Sequence, residues 1–147
     1  MKGIEISGKP IAYLCSSQAK LEAMLDDSRK NSKKGTFLLL AEPKSNLQER
    51  IIPAYINSAI REQEKCMRAN NIQMEMLLFL SGTMNIGKAI RDSGAKSSSK
   101  FVLISNKETL ISSFCKKFGI KKLQKYVLTL DYDVSGKVAL TELENKG

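Results

Sequence analysis

The chain has 147 residues, a formal net charge of +9, three cysteines and no histidine. At this length roughly two-thirds of the unfolded surface is buried around one core, so we expect a single domain over residues 1–147 that needs neither a metal nor disulfides for stability. The lack of histidine excludes the commonest general acid/base and metal ligand, together with Ser-His and Cys-His nucleophile pairs.

The first predicted elements alternate between strand and helix. Residues 10–14, with residues 3–7 before them, indicate a short strand or hairpin. Residues 19–25 repeat apolar side chains at helical spacing, and this predicted helix ends in the polar run 28–35. Residues 36–41 then predict a buried strand.

A long helix is predicted next, opened by the capping box Ser45-x-x-Gln48. Pro53 lies inside this helix and is expected to kink or restart it, because its ring removes one N–H donor and clashes with the previous turn. The apolar stripe expected on the buried side consists of Ile52, Ile56, Ala59, Ile60 and Met67.

Residues 73–80 are largely apolar and are predicted as the central strand of a sheet, with Glu75 near its polar end. A short helix follows and ends at Gly94. A strand that runs through Ser81-Gly82-Thr83 into a helix would point unpaired N–H groups out of the end of the sheet, where they attract phosphate. The expected buried face of that helix consists of Ile86, Ala89 and Ile90.

The next segment repeats the same order of elements. A loop of small residues and lysine, residues 95–99, precedes a predicted strand over residues 101–104. A second capping box, Ser105-x-x-Glu108, predicts a helix that ends at Gly119. The apolar residues expected on its buried face are Leu110, Ile111, Phe114 and Phe118.

A lysine-rich link up to Lys125 leads to two last apolar stretches, residues 126–130 and 137–143, for which strand and helix both remain open. The alternation of strands and helices predicts an α/β domain, with α+β as the alternative. We expect a mixed sheet with helices packed on it.

Residues 82–89 nearly match a phosphate-binding P-loop, in the predicted setting of strand, glycine turn and helix. Ala89 stands where a Ser/Thr hydroxyl must hold Mg²⁺, and the next predicted strand has no Asp to complete that site. A degenerate P-loop enzyme is therefore a minor alternative, whereas backbone binding of some other phosphate remains open.

Residues 131–142 match the ligand pattern of an EF-hand calcium loop. The entering segment is β-branched, only five residues follow Glu142, and no second EF-hand is present to pair with the first. An acidic turn is the preferred interpretation, and we expect no metal.

The positive charge is concentrated between Phe79 and Lys125, where ten basic residues face only two acidic ones. Such a segment favours a polyanionic partner, because neutralising phosphates releases counterions. The simpler alternative is a generally basic protein. The basic residues are Lys88, Arg91, Lys96, Lys100, Lys107, Lys116, Lys117, Lys121, Lys122 and Lys125.

Cysteine usage and hydropathy predict the compartment. Three widely spaced cysteines without a Cys-x-x-Cys pair indicate buried thiols in a reducing cytosol rather than a disulfide framework or a zinc site. The longest apolar runs, residues 37–41 and 76–80, are too short to cross a bilayer, and no signal-peptide core follows Lys2. We expect a cytoplasmic protein with no membrane, metal or cofactor.

The segment around the glycine turn resembles a known family. Its pattern is Ser81-Gly82-Thr83-x-Asn85-Ile86-x-x-Ala89-Ile90-x-x-x-Gly94, followed by a strand and a Ser/Asn-capped helix. With the ending at residues 137–143, it resembles the kinase-binding subunit of the KEOPS (EKC) tRNA-modification complex, the TPRKB-like family. The similarity covers residues 57–118 and the tail. Archaeal members commonly carry Arg-Gln where Met84-Asn85 stand here.

The resemblance implies a non-catalytic subunit that binds and stimulates the small atypical kinase/ATPase of the complex and captures tRNA by its 3′ CCA end. The modification served is N6-threonylcarbamoylation of an anticodon-loop adenosine. A generic basic RNA-binding domain and a phosphate-using enzyme are the alternatives, and a core position is the alternative for Ile86. The expected tRNA-binding residues are Ser81, Gly82, Thr83, Asn85, Ile86, Lys88, Arg91, Lys96 and Lys100.

Overall fold

A computed structural model describes residues 8–33 and 35–128, and within them strands and helices alternate. The strands are β1 (Ile11–Ser16), β2 (Leu38–Ala41), β3 (Phe101–Ser105) and β4 (Lys121–Lys125). The helices are α1 (Leu21–Lys30), α2 (Leu47–Gln63), α3 (Ile72–Ser81), α4 (Ile86–Ser93) and α5 (Glu108–Phe118). The predicted residues 3–7, 129–130 and 137–143, and the EF-hand match at 131–142, lie outside the described part of the chain.

The four strands form one sheet in the order β2-β3-β1-β4. β1 pairs with β3 and β4, and β2 pairs with β3, in each case antiparallel. The expected α/β class, with helices packed on a sheet, is confirmed, but the described pairings are antiparallel rather than mixed. Residues 73–80, the predicted central strand, do not join the sheet.

Helices cover both faces of the sheet. Alternate strand residues point to opposite faces, so Ala12 faces α2 and α3 while Cys15 faces α1 and α5. Every residue of β2 and β3 is buried as a result. This explains why those strands read as continuous apolar runs. β4 differs, since all five of its residues are exposed, and its lysines suit an edge strand that must not pair with other chains.

Residues 73–80 belong to α3, so the prediction of a central strand was wrong. The helix begins after Asn71, whose side-chain oxygen accepts a hydrogen bond from Met74 N at 2.9 Å. Seven of its ten residues are buried, because α2, α4 and the sheet surround it. A helix buried on nearly every side has no amphipathic period, and its Met and Leu residues favour a helix more than a strand.

α2 and α5 confirm the predicted helices but not their capping boxes. α2 begins after Asn46, which has a φ of 66° and no side-chain cap, and it continues through Pro53 without restarting. α5 begins after Lys107 and has no side-chain cap, and the Ser105 hydroxyl donates to Phe37 O at 2.6 Å and accepts from Lys107 N at 3.0 Å. Gly119 ends α5 as predicted, with a φ of 59°. The predicted lysine-rich link that follows contains the strand β4.

Candidate functional site

The predicted site lies at the turn between α3 and α4. Gly82 follows α3 with a φ of 68°, and its N–H and that of Thr83 both donate to Leu78 O, at 2.9 and 3.2 Å. This left-handed conformation favours glycine. Apart from Gly82 itself and its two chain neighbours, no residue has an atom within 4 Å of the position that a Cβ at Gly82 would occupy. The glycine is therefore required by backbone geometry rather than by crowding.

The start of α4 is capped by its own residues. Asn85 Oδ1 accepts from Lys88 N at 2.9 Å, and Thr83 Oγ1 accepts from Asn85 N at 3.2 Å. Thr83 and Asn85 are thus partly committed to holding the turn, and the Asn85 side chain, which is exposed, keeps its Nδ2 donors for a ligand. The N–H groups of Ile86 and Gly87 lack an acceptor among residues 8–33 and 35–128.

The turn connects two helices, which corrects the predicted strand-to-helix junction. A P-loop needs a strand before its glycine turn, and residues 82–89 follow α3 instead. The carbonyl end of α3 also lies next to the N–H end of α4, and its negative partial charge weakens the attraction of an anion there. The P-loop alternative and the phosphate cradle at a sheet end both lose their structural basis.

Ser81 has an internal role. Its hydroxyl donates to Ala89 O at 3.2 Å and lies 2.6 Å from Ser93 Oγ, with which it hydrogen-bonds. These contacts join the last residue of α3 to the buried side of α4. Ser81 therefore positions the turn, and its hydroxyl is already engaged.

Two apolar residues of α4 point outward. Ile86 is 37% exposed and Ile90 is 43% exposed, while Ala89 is buried. The prediction that Ile86 and Ile90 form the buried face was wrong, because α4 packs through the small side chains of Ala89 and Ser93. Residues four apart share one side of a helix, so Ile86 and Ile90 form an exposed apolar stripe beside Met84, which is 53% exposed.

A cavity of about 220 Å³ lies under the turn, between α2 and α3. The Arg61 guanidinium of α2 lies 4.8 Å from the centre of the Phe79 ring, within cation–π distance. The cavity thus has apolar walls and a cationic rim. Its lining residues are Arg61, Leu78, Phe79, Gly82, Thr83 and Met84.

An ion pair with a buried carboxylate holds Arg61 in place. Arg61 Nη1 donates to Glu75 Oε2 at 3.0 Å, and the Glu75 side chain is fully buried. Glu75 Oε1 also accepts from the backbone N–H groups of Arg68 and Ala69, at 3.0 and 2.9 Å. Glu75 therefore does not lie at a polar strand end as predicted. It fixes both the α2–α3 connection and the rim of the cavity.

The predicted basic residues next to the turn are all exposed. Lys88 and Arg91 lie on α4, and the Lys96 ammonium donates to Arg91 O at the end of the same helix. The structure thus brings Lys96 to α4, whereas Lys100 lies at the far end of the connection to β3. The backbone N–H of Lys96 donates to Glu42 Oε1 at 3.3 Å, which places one carboxylate near this surface.

Cys15 and Cys115 are buried as predicted, but Cys66 is exposed, contrary to the prediction of buried thiols. Among residues 8–33 and 35–128, no group of three or more His, Cys, Asp or Glu side chains is arranged to hold a metal ion. None of the helices in the same part of the chain has the length and apolarity needed to cross a membrane.

The family model for kinase binding protein CGI-121 matches residues 46–124, more than half of the chain. The chain belongs to the CGI-121 family. The resemblance to a kinase-binding family is thereby confirmed. No curated protein sequence matches the chain.

The CGI-121 match contains the whole α3–α4 turn and its cavity, since it begins at the residue before α2 and ends within β4. It leaves out β1 and β2, although β3 pairs with both of them and β4 pairs with β1. The matched segment therefore needs the preceding residues to complete its sheet.

Proposed function

We propose that this CGI-121 family member is the kinase-binding subunit of the KEOPS/EKC complex. In this role it binds and stimulates the small atypical kinase/ATPase and recruits tRNA by its 3′ CCA end for N6-threonylcarbamoyladenosine modification. It acts in the cytoplasm as a single domain over residues 1–147, and it performs no catalysis of its own. The family match across the α3–α4 turn carries this proposal.

The chemistry of the chain supports an adaptor rather than an enzyme. Histidine is absent from the sequence, and the P-loop-like segment follows a helix and carries Ala89 in place of the Mg²⁺-binding hydroxyl. The side chains of Ser81, Thr83 and Asn85 hold the turn together. The groups that remain available suit binding: an apolar cavity, a guanidinium and exposed cations.

The cavity under the turn suits the unpaired end of an RNA. A single-stranded end is normally held by stacking of its bases and by contacts to its backbone. Phe79 and Met84 offer apolar surface for a base, and Arg61 offers a planar cation at the rim. Archaeal members of the family commonly carry arginine at the position of Met84. In this chain Met84 lines the cavity, and the guanidinium at the cavity comes from Arg61 of α2.

The exposed cations of α4 suit the phosphates that follow such a base. Lys88 and Arg91 are three residues apart on α4, and the Lys96 ammonium donates to Arg91 O, so the three cations lie along one helix. We assign Lys100 to the same surface as its outermost contact. Each phosphate neutralised adds affinity without sequence preference and makes binding salt-dependent.

Kinase binding can be tested with the purified full-length chain and the purified kinase subunit. We expect the two to co-elute and the ATP hydrolysis of the kinase to rise on addition of the chain, while the chain alone hydrolyses no ATP. RNA binding without co-elution would favour the generic RNA-binding domain. ATP turnover by the chain alone that is lost in Lys88→Ala would favour the phosphate-using enzyme.

A further inference from the structure

A second cavity lies at the opposite end of α3 from the α3–α4 turn. Its volume is about 730 Å³, within the roughly 300–1,000 Å³ of a small-molecule site. Its walls come from the residues after α1, the last turn of α2 and the segment that joins α2 to α3. The proposed kinase and tRNA roles do not use this cavity. Its lining includes Lys33, Glu62, Lys65, Met67, Asn70 and Asn71.

Hydrogen bonds hold the walls of this cavity in place. The segment between α2 and α3 is held by the buried Glu75 carboxylate, through the contacts described above, and by Asn71, whose Oδ1 accepts from Met74 N at 2.9 Å. On the other side, both carboxylate oxygens of Glu62 accept from Gly35 N, at 3.1 and 3.3 Å. The cavity is therefore preformed to a large extent, which lowers the entropy cost of binding a ligand.

Lys65 has a backbone conformation that favours glycine. α2 ends in a Schellman motif, in which Cys66 N donates to Arg61 O at 3.0 Å and Lys65 N donates to Glu62 O at 3.2 Å. The left-handed position of this motif is usually glycine, yet Lys65 occupies it with a φ of 57°. Backbone geometry thus gives no reason for a lysine here, whereas a ligand in the cavity does.

The charges that remain free at the cavity are positive. Within residues 8–33 and 35–128, no hydrogen bond or ion pair engages the ammonium group of Lys33 or of Lys65. Asn70 and Asn71 add amide N–H donors. Glu62 is the single acidic residue among the described lining residues, and its carboxylate already accepts from the backbone. This set of groups favours an anion, and lysine is a common phosphate ligand.

We propose that this cavity binds a nucleotide as its nucleoside 5′-phosphate. Lys33 and Lys65 bind the phosphate, and the remaining lone pairs of the Glu62 carboxylate accept from the ribose hydroxyls. The base packs against the Met67 side chain, and the amide groups of residues 70–71 reach its polar edge. The nucleotide is either free or part of a single RNA strand, since both offer these groups. The site is independent of the proposed role in kinase and tRNA binding.

Isothermal titration calorimetry with the purified full-length chain tests this site. The probe is AMP, and adenosine, which lacks the phosphate, is the matched ligand control. We expect AMP to bind and adenosine to bind roughly tenfold more weakly or worse, because it lacks the charge-assisted hydrogen bonds. A 5′-phosphorylated RNA trinucleotide distinguishes the two sources. Tighter binding than that of AMP assigns the site to an RNA strand, and equal or weaker binding assigns it to a free nucleotide.

Two pairs of lysine substitutions locate the binding. Lys33→Met together with Lys65→Met should lower the affinity for AMP to that for adenosine. Lys107→Met together with Lys116→Met removes the same charge from two exposed positions, one next to α5 and one within it, and should leave AMP binding unchanged. Equal losses in the two pairs would overturn the assignment to this cavity, because a general effect of net charge would then explain the binding.

The variant Lys65→Gly separates binding from folding. Glycine suits a φ of 57°, so the melting temperature should not fall, while the affinity for AMP should fall because one ammonium group is lost. Unchanged AMP affinity in Lys65→Gly would overturn the proposal. Equal affinity of the natural protein for AMP and adenosine would also overturn it, and so would the absence of binding for both AMP and the trinucleotide at roughly 1 mM.

Discussion

The ion pair between Arg61 and Glu75 gives the sharpest stability prediction. Glu75→Gln keeps the size and shape of the side chain but removes its charge. The glutamine oxygen can still accept from Arg68 N and Ala69 N. Its NH₂ group then faces the Arg61 guanidinium, and because both groups are donors they form no hydrogen bond. The variant therefore loses one charged hydrogen bond and weakens two others.

The expected size of the loss follows from these three contacts. A hydrogen bond to a charged group contributes roughly 1.5–3 kcal/mol and a neutral one roughly 0.5–1.5 kcal/mol. Because Arg61 is a quarter exposed and can regain some water, we take the lower part of these ranges. The free energy of unfolding should fall by about 3 kcal/mol, near the lower limit of the roughly 3–5 kcal/mol cost of breaking a buried ion pair.

Urea denaturation of the purified protein measures this loss. With a slope of about 2 kcal/mol per molar, the midpoint should move down by about 1.5 M. Glu64→Gln, one residue beyond the end of α2 and exposed, is the matched control and should stay within about 0.5 kcal/mol of the natural protein. A loss below about 1 kcal/mol for Glu75→Gln would refute the assigned role of the carboxylate in anchoring α2 to α3.

The remaining predictions concern the turn and the basic face of α4. Gly82→Ala should lower the free energy of unfolding by about 1 kcal/mol in thermal unfolding, because alanine is strained at a φ of 68° although no atom crowds it; an unchanged melting temperature would contradict this. Charge reversal of Lys88 and Arg91 together should weaken tRNA binding and reduce the slope of log affinity against log salt by about one unit for each lost phosphate contact. Charge reversal of Lys121 and Lys125 on β4 is the control, because it changes the net charge by the same amount. A larger loss of tRNA binding in this control would place the RNA at β4 and not at α4.

Sequence patterns predicted those helices and strands whose apolar residues follow a clear spacing. α1, α2 and α5 each bury one side, and β1, β2 and β3 are short apolar segments, so helical spacing or a short apolar run located them. Residues 73–80 were assigned wrongly because α3 is enclosed by other elements and its apolar residues do not follow the helical spacing. Periodicity alone does not distinguish a buried strand from a buried helix in a largely apolar segment of eight residues.

The motif placed the candidate site but could not predict its geometry. The Ser81-to-Gly94 pattern put the candidate site at the turn before α4, yet periodicity could not tell which side of α4 is covered, so Ile86 and Ile90 were expected inside. Arg61 was not predicted at all. It reaches Phe79 from a different helix, and only the packing of α2 against α3 brings the two together. An acidic residue within an apolar run, Glu75, was the one available signal for a buried cationic partner.

The most direct test of the proposed role compares intact tRNA with tRNA that lacks its 3′ CCA nucleotides. Binding to the purified full-length chain is measured for both, with a tRNA shortened by three nucleotides at its 5′ end as the control. The account predicts that loss of the CCA end weakens binding roughly tenfold or more, because each stacked base contributes about 1–3 kcal/mol, while the 5′ trimming has little effect. Equal affinity for intact and CCA-trimmed tRNA would contradict recognition of the 3′ end.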